Sequence, residues 1–105
     1  MGQFAVHRNT SPETKSAVPY LLDVQSSLIS ELGTRVVVPL CPARAMKRGV
    51  ITTLMPTLEI DGKAFVMMTP QMAGVPKRIL GPVVADMNPM RDEIMAAIDF
   101  LLLGF

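Results

Sequence analysis

Nine prolines and seven glycines are distributed through 105 residues, and this punctuation constrains the fold more than any other feature. Proline removes a ladder or helix donor and glycine marks turns, so most of the chain is limited to short pieces that read as strands. The sequence therefore predicts a mainly β domain. Residues 3–8 alternate, placing Phe4 and Val6 on one face and Gln3, Ala5 and His7 on the other, before residues 9–16 turn polar and read as a mobile loop. Residues 20–25 form a second strand. Arg35-Val36-Val37-Val38 forms a third, ended at Pro39 for want of a donor.

The sharpest local signal is Asp61-Gly62 between Thr57-Leu58-Glu59-Ile60 and Lys63-Ala64-Phe65-Val66-Met67-Met68. Both turn residues tolerate positive φ, so a two-residue type I′ hairpin is expected. Ile60 then pairs with Lys63 and Leu58 with Phe65. That register gathers Leu58, Ile60, Phe65 and Met67 on the core face and leaves Glu59 and Ala64 on the other. Thr69 caps and Pro70 opens a short helix closed by Gly74 and Pro76, and residues 77–80 resume as strand.

A last helix is expected from the cap at Asn88 and the start at Pro89, with Asp92 and Glu93 in its first turn complementing the helix dipole. Met90, Ile94, Ala97, Ile98, Leu101 and Phe105 recur at spacings of three or four and face a core. Leu102 and Leu103 fall off that stripe, so the last turn is apolar nearly all round. Gly104 after the helix, followed by a hydrophobe, fits a common capping arrangement. The chain finishes Phe100-Leu101-Leu102-Leu103-Gly104-Phe105 without a polar side chain. An end of this kind requires something to dock against.

At this length, folding hides roughly 60 to 70% of the unfolded surface, so a chain that is 50% hydrophobic keeps apolar surface to place, most simply in an oligomer. One domain over residues 1–105 is expected. A net charge of +1, with no dense basic run, gives no means of following a phosphate backbone or an anionic membrane. The single cysteine, Cys41, reads as a reduced, packed thiol. With no leader-like N-terminus and no apolar run of about 18 to 20 residues, a soluble cytoplasmic protein is expected. Nine methionines read first as core filler, and more weakly as an adaptable binding surface.

Groups able to do chemistry are sparse. His7, Asp23 and Arg35 are the one candidate acid, base and arginine set. His7 on its own reads as an exposed strand histidine, and Arg35 and Arg44 as solvated charges. No metal motif, nucleophile elbow or phosphate loop occurs, so no catalytic residues, metal or cofactor are expected.

Several strings carry a family likeness: Asp23-Val24-Gln25-Ser26, Arg35-Val36-Val37-Val38-Pro39-Leu40, Met67-Met68-Thr69 with Met72-Ala73 and Val75-Pro76, and the tail from Ala97-Ile98 to Gly104-Phe105. In order and spacing the chain resembles the CcdB toxins of type II toxin–antitoxin modules along essentially its whole length. The resemblance implies an SH3-like barrel of the CcdB, Kid and MazF type, with a small extra sheet and a C-terminal helix. It also implies a homodimer that binds the A subunit of DNA gyrase, traps the cleaved gyrase–DNA complex and is neutralised by a CcdA-like antitoxin, with no direct nucleic-acid or membrane contact.

By the same resemblance Leu103, Gly104 and Phe105, completed by Ser26, Leu28, Ile29 and Asp99, would contact gyrase. Asn9, Thr10, Ser11, Pro12, Glu13, Thr14 and Lys15, within a segment extending to Ala17, would meet the antitoxin. One departure is Leu103, which stands where the best-known family members carry tryptophan. An indole stacked on a cationic group is worth roughly 0.5 to 2 kcal/mol that leucine cannot supply. That substitution motivates a binding-only homologue as an alternative. The shared fold of the mRNA-cleaving MazF and Kid toxins motivates an endoribonuclease using His7, Asp23 and Arg35.

Overall fold

A computed structural model describes residues 2–29, 32–46 and 51–104. Among these, the strands β1 (Ala5–Asn9), β2 (Tyr20–Asp23), β3 (Thr34–Pro42), β4 (Thr57–Ile60), β5 (Lys63–Met67), β6 (Ala73–Pro76) and β7 (Leu80–Asp86) precede one helix, α1 (Arg91–Leu103). The strands form one antiparallel sheet in the order β4-β5-β3-β2-β1-β7, with β6 branching from β3. The sheet curls into a half-barrel, and the fold is the mainly β, single-helix architecture of the CcdB type.

The branch at β3 explains why that strand outruns its expected end. Its far edge pairs with β6 through Thr34, Arg35, Val36 and Val37 and with β5 through Leu40, Cys41 and Pro42. Pro39 lies in the changeover between the two, where its carbonyl accepts from Met68 N–H at 2.9 Å. Its missing donor points to the same side, where no ladder bond is lost. The hairpin has the register derived from Asp61-Gly62, with Leu58 opposite Phe65 and Ile60 opposite Lys63. Asp61 and Gly62 take φ of 55° and 78°, the left-handed pair a type I′ turn needs.

Alternation along β1, β2 and β3 gives the sheet two buried faces. Phe4, Val6, Leu22, Val24, Val38 and Leu40 face the hairpin residues Leu58, Ile60, Phe65 and Met67, and α1 closes this core with Ile94, Ala97 and Ile98. Each fully buried aliphatic side chain contributes about 1.5–3 kcal/mol. Tyr20 and Phe65 meet edge to face at 5.1 Å.

Three further local expectations differ from the structure. Thr69 does not cap a helix; it is buried in a 3₁₀ turn, Thr69–Gln71, after which residues 73–76 pair with β3. Lys77–Ile79 is a 3₁₀ turn rather than strand, and the strand lies beyond it as β7. The Gly81-Pro82 break hid β7 from sequence reading, yet an edge strand tolerates proline. Asn88 does not cap α1; its N–H and its Nδ2 both donate to Asp86 Oδ1, and the 3₁₀ turn Asn88–Met90 leads into the helix.

Candidate functional site

The C-terminal end of α1 has the two surfaces its period implies. Gly- and Pro-free from Arg91 to Leu103, it carries Asp92 and Glu93 in its first turn and buries Ile94, Ala97 and Ile98. The buried stripe stops there. Leu101 is 36%, Leu102 65% and Leu103 62% exposed. Gly104 terminates the helix at φ 81°, its N–H donating to Phe100 O at 3.0 Å, the left-handed cap anticipated for it. Phe105, expected on the core stripe and in the gyrase contact, lies outside the described residues. Asp99 and Gly104 line an open groove of about 550 Å³ together with Ala96, Phe100 and Thr53.

A second apolar projection lies after β2. Ser26 is half-buried, and the 3₁₀ turn Ser27–Ile29 carries Leu28 at 95% and Ile29 at 50% exposure. Thus Asp99 and Gly104 share one groove, whereas Ser26, Leu28 and Ile29 belong to a turn held by its own hydrogen bonds. Beneath that turn lies a feature the sequence reading missed. Arg35 is fully buried and pairs with Asp23 through Nε to Oδ2 at 2.8 Å and Nη2 to Oδ1 at 2.9 Å. Asp23 and Gln25, two apart on an otherwise apolar strand, were the available signal that one face here holds buried polar groups.

The expectations of an exposed His7 and a solvated Arg35 are therefore corrected. His7 is 2% exposed, its Nδ1–H donating to Gly81 O at 2.9 Å. His7 and Asp23 of the candidate set do not meet: His7 stands opposite Leu21, and the Asp23 carboxylate is held by Arg35 and the Gln25 N–H. Arg44 is exposed, on the turn Ala43–Ala45. All three members of the candidate acid, base and arginine set are thus below the surface.

The segment expected to be a mobile polar loop is internally bonded. Asn9, the buried last residue of β1, donates from Nδ2 to Thr14 Oγ1 and Val18 O, both at 2.9 Å, and accepts from Ser11 N–H at 3.0 Å. Thr10 donates from N–H and Oγ1 to Ile79 O. Pro12, Glu13, Thr14 and Lys15 remain exposed. Asn9, Ser11 and Thr14 border an open groove of about 350 Å³ floored by Leu21, Pro39 and Ile79.

Burial raises the Cys41 thiol pKa above its ordinary value. Among the described residues no cluster of three His, Cys, Asp or Glu groups is arranged to hold a metal ion. Nor is any helix there long and apolar enough to cross a membrane.

A curled half-barrel closed by one helix, with leucines standing out at the helix end and on one turn, is the build of a small interaction protein. The family model described as CcdB protein matches residues 3–104, and the chain belongs to the CcdB family. It is accordingly a toxin of a toxin–antitoxin module.

Proposed function

We propose that this toxin acts as a homodimer that binds the A subunit of DNA gyrase and traps the cleaved gyrase–DNA complex, and that a CcdA-like antitoxin relieves it. The observation that carries the reading is the unsatisfied end of α1: Leu102 and Leu103 exposed by more than three-fifths, beside the groove bordered by Asp99 and Gly104. Exposed apolar surface gathered in one place marks an interaction site. The face of Ile94, Ala97 and Ile98 is consumed by the chain's own core. A dimer through the last helix therefore uses Leu102, which leaves Leu103 and Gly104 to gyrase. Leu103, Gly104 and Phe105, with Ser26, Leu28, Ile29 and Asp99, form the gyrase contact. Residues 9–15 form the antitoxin contact, presented by the Asn9 clasp.

Poisoning of this kind needs no catalytic group of the toxin, because gyrase itself cuts the DNA and the toxin only has to hold it in that state. The ribonuclease reading loses its support from the burial of His7, Asp23 and Arg35, since a general acid or base has to reach the substrate. The binding-only reading rests on Leu103, which cannot stack as tryptophan does.

Purified protein incubated with gyrase, ATP and supercoiled plasmid, then treated with detergent and protease, will yield linear DNA. Deletion of residues 103–105 will abolish it. Absence of linear DNA with the intact protein would sink the poison reading, and degradation of total RNA in a parallel incubation would revive the nuclease one.

A further inference from the structure

The turn that carries Leu28 is tied to the interior. Gln25, 6% exposed, commits all its polar groups. Its N–H donates to Asp23 Oδ1 at 3.0 Å, its Nε2 to Ile29 O at 2.9 Å, and its Oε1 accepts from Val36 N–H at 3.0 Å. Its carbonyl accepts from Arg35 Nη2 at 3.1 Å, so the same guanidinium nitrogen that holds Asp23 also holds Gln25. Above this layer Ser26 Oγ accepts from Leu28 N–H at 3.2 Å, and Ser26 O accepts from Ile29 N–H at 3.2 Å. At the crest the Leu28 side chain stands 95% in solvent.

We infer that Gln25 is a positioning residue that, locked by the Asp23–Arg35 pair, presents Leu28 as a preformed apolar knob for a pocket on the protein partner. Under the reading above, on which this inference rests, that partner is the A subunit of gyrase. The physical argument is preorganisation. A loop that must order on binding loses affinity to its own entropy, whereas one already fixed by buried hydrogen bonds does not. A fully exposed leucine gains nothing for the folded monomer, yet the bonds beneath it are those of a core, and together they make a rigid apolar contact. Gln25 itself is buried and acts only through the turn.

The test is a double-substitution cycle read by the affinity of the purified toxin for the A subunit of gyrase. Gln25→Met keeps the side-chain length and removes the bonds to Ile29 and Val36. It will weaken binding about tenfold, the scale of ordering one or two loop side chains. In a Leu28→Ala background the same substitution will cost much less, because the chief group it positions is gone and only the Ile29 contact remains to be disturbed. Amide exchange at Leu28 and Ile29 will accelerate while Leu22 and Val38 keep their protection, which a general loss of stability would not produce. Should Gln25→Met fail to fold, Gln25→Glu, which keeps the Oε acceptor for Val36 N–H and removes the Nε2 donor to Ile29 O, takes its place in the cycle.

An undiminished effect in the Leu28→Ala background, or no weakening at all, would overturn the inference. Deletion of residues 103–105 separates the two levels: binding lost with the tail but indifferent to Leu28 refutes the knob alone. Binding indifferent to both refutes the gyrase reading.

Discussion

Substituting Asp23 by alanine tests the buried ion pair with a large and calculable effect. Asp23 and Arg35 are both fully buried. The carboxylate accepts from Arg35 Nε and Nη2 and from Gln25 N–H, and Arg35 Nη1 is already buried without a protein partner among the described residues. Alanine leaves a guanidinium in the interior with no counter-charge. Breaking a buried pair from one side costs about 3–5 kcal/mol, chiefly through the uncompensated charge that remains. A domain of this size has about 5–15 kcal/mol in total, so the loss is a large share of it. At about 4–8 °C per kcal/mol the thermal midpoint will fall by roughly 12–40 °C.

The assay is guanidinium unfolding followed by far-ultraviolet circular dichroism, since the chain has no tryptophan, at one fixed protomer concentration because an oligomer's stability depends on it. A second variant sharpens the reasoning. Asp23→Leu combined with Arg35→Met removes both charges and will be more stable than Asp23→Ala, because well-packed apolar residues can replace a buried pair at little cost. A single substitution costing under about 1 kcal/mol, well below the range for breaking a buried pair, or a double variant as unstable as the single one, would refute the argument.

Gly81→Ala will destabilise, because a Cβ there would lie 2.9 Å from the Arg8 carbonyl oxygen, a backbone atom that cannot step aside; a shifted denaturation midpoint checks it. Asn9→Ala removes three bonds that shape the following loop, so trypsin will cut after Lys15 faster than in the parent while the overall unfolding midpoint changes far less. Leu102→Ser, at an exposed position, will change monomer stability by no more than about 0.5 kcal/mol but will raise the dimer dissociation constant measured by analytical ultracentrifugation. Cys41 has a pKa raised by burial, so iodoacetamide will react with the folded protein at pH 8 more slowly than with the unfolded chain. The sign for stability follows: the contribution is complete below the unfolded thiol's pKa and declines as pH rises through the folded value.

The elements legible in the sequence are those specified by neighbours along the chain. Asp61-Gly62 sets its hairpin register because two adjacent positive φ angles admit one tight turn, and the alternation of side chains then decides the buried face. The three-or-four spacing of Ile94, Ala97 and Ile98 likewise identifies the core face of α1, and Gly104 its end. Leu102 and Leu103 stand out as a surface problem from the helical period alone, because they fall off the core stripe, whereas Leu101, placed on that stripe by the period, is 36% exposed in the structure.

What tertiary structure alone decided depends on partners far apart in sequence. Pro39 ends no strand, because two different strands share that edge of β3 and change over at its position. His7 and Arg35 look like surface charges by residue type, and are interior because each meets a partner on another strand, the Gly81 carbonyl for His7 and the Asp23 carboxylate for Arg35. Asp23 finds Arg35 twelve residues away across a strand pair, and Gln25 is thereby tied beneath Leu28. The residues proposed for the contact follow from the family resemblance, but the hydrogen bonds that hold the Leu28 turn could not be read from the chain. Rigidity here comes from hydrogen bonds across the sheet, and no local pattern of residues encodes which strands lie side by side.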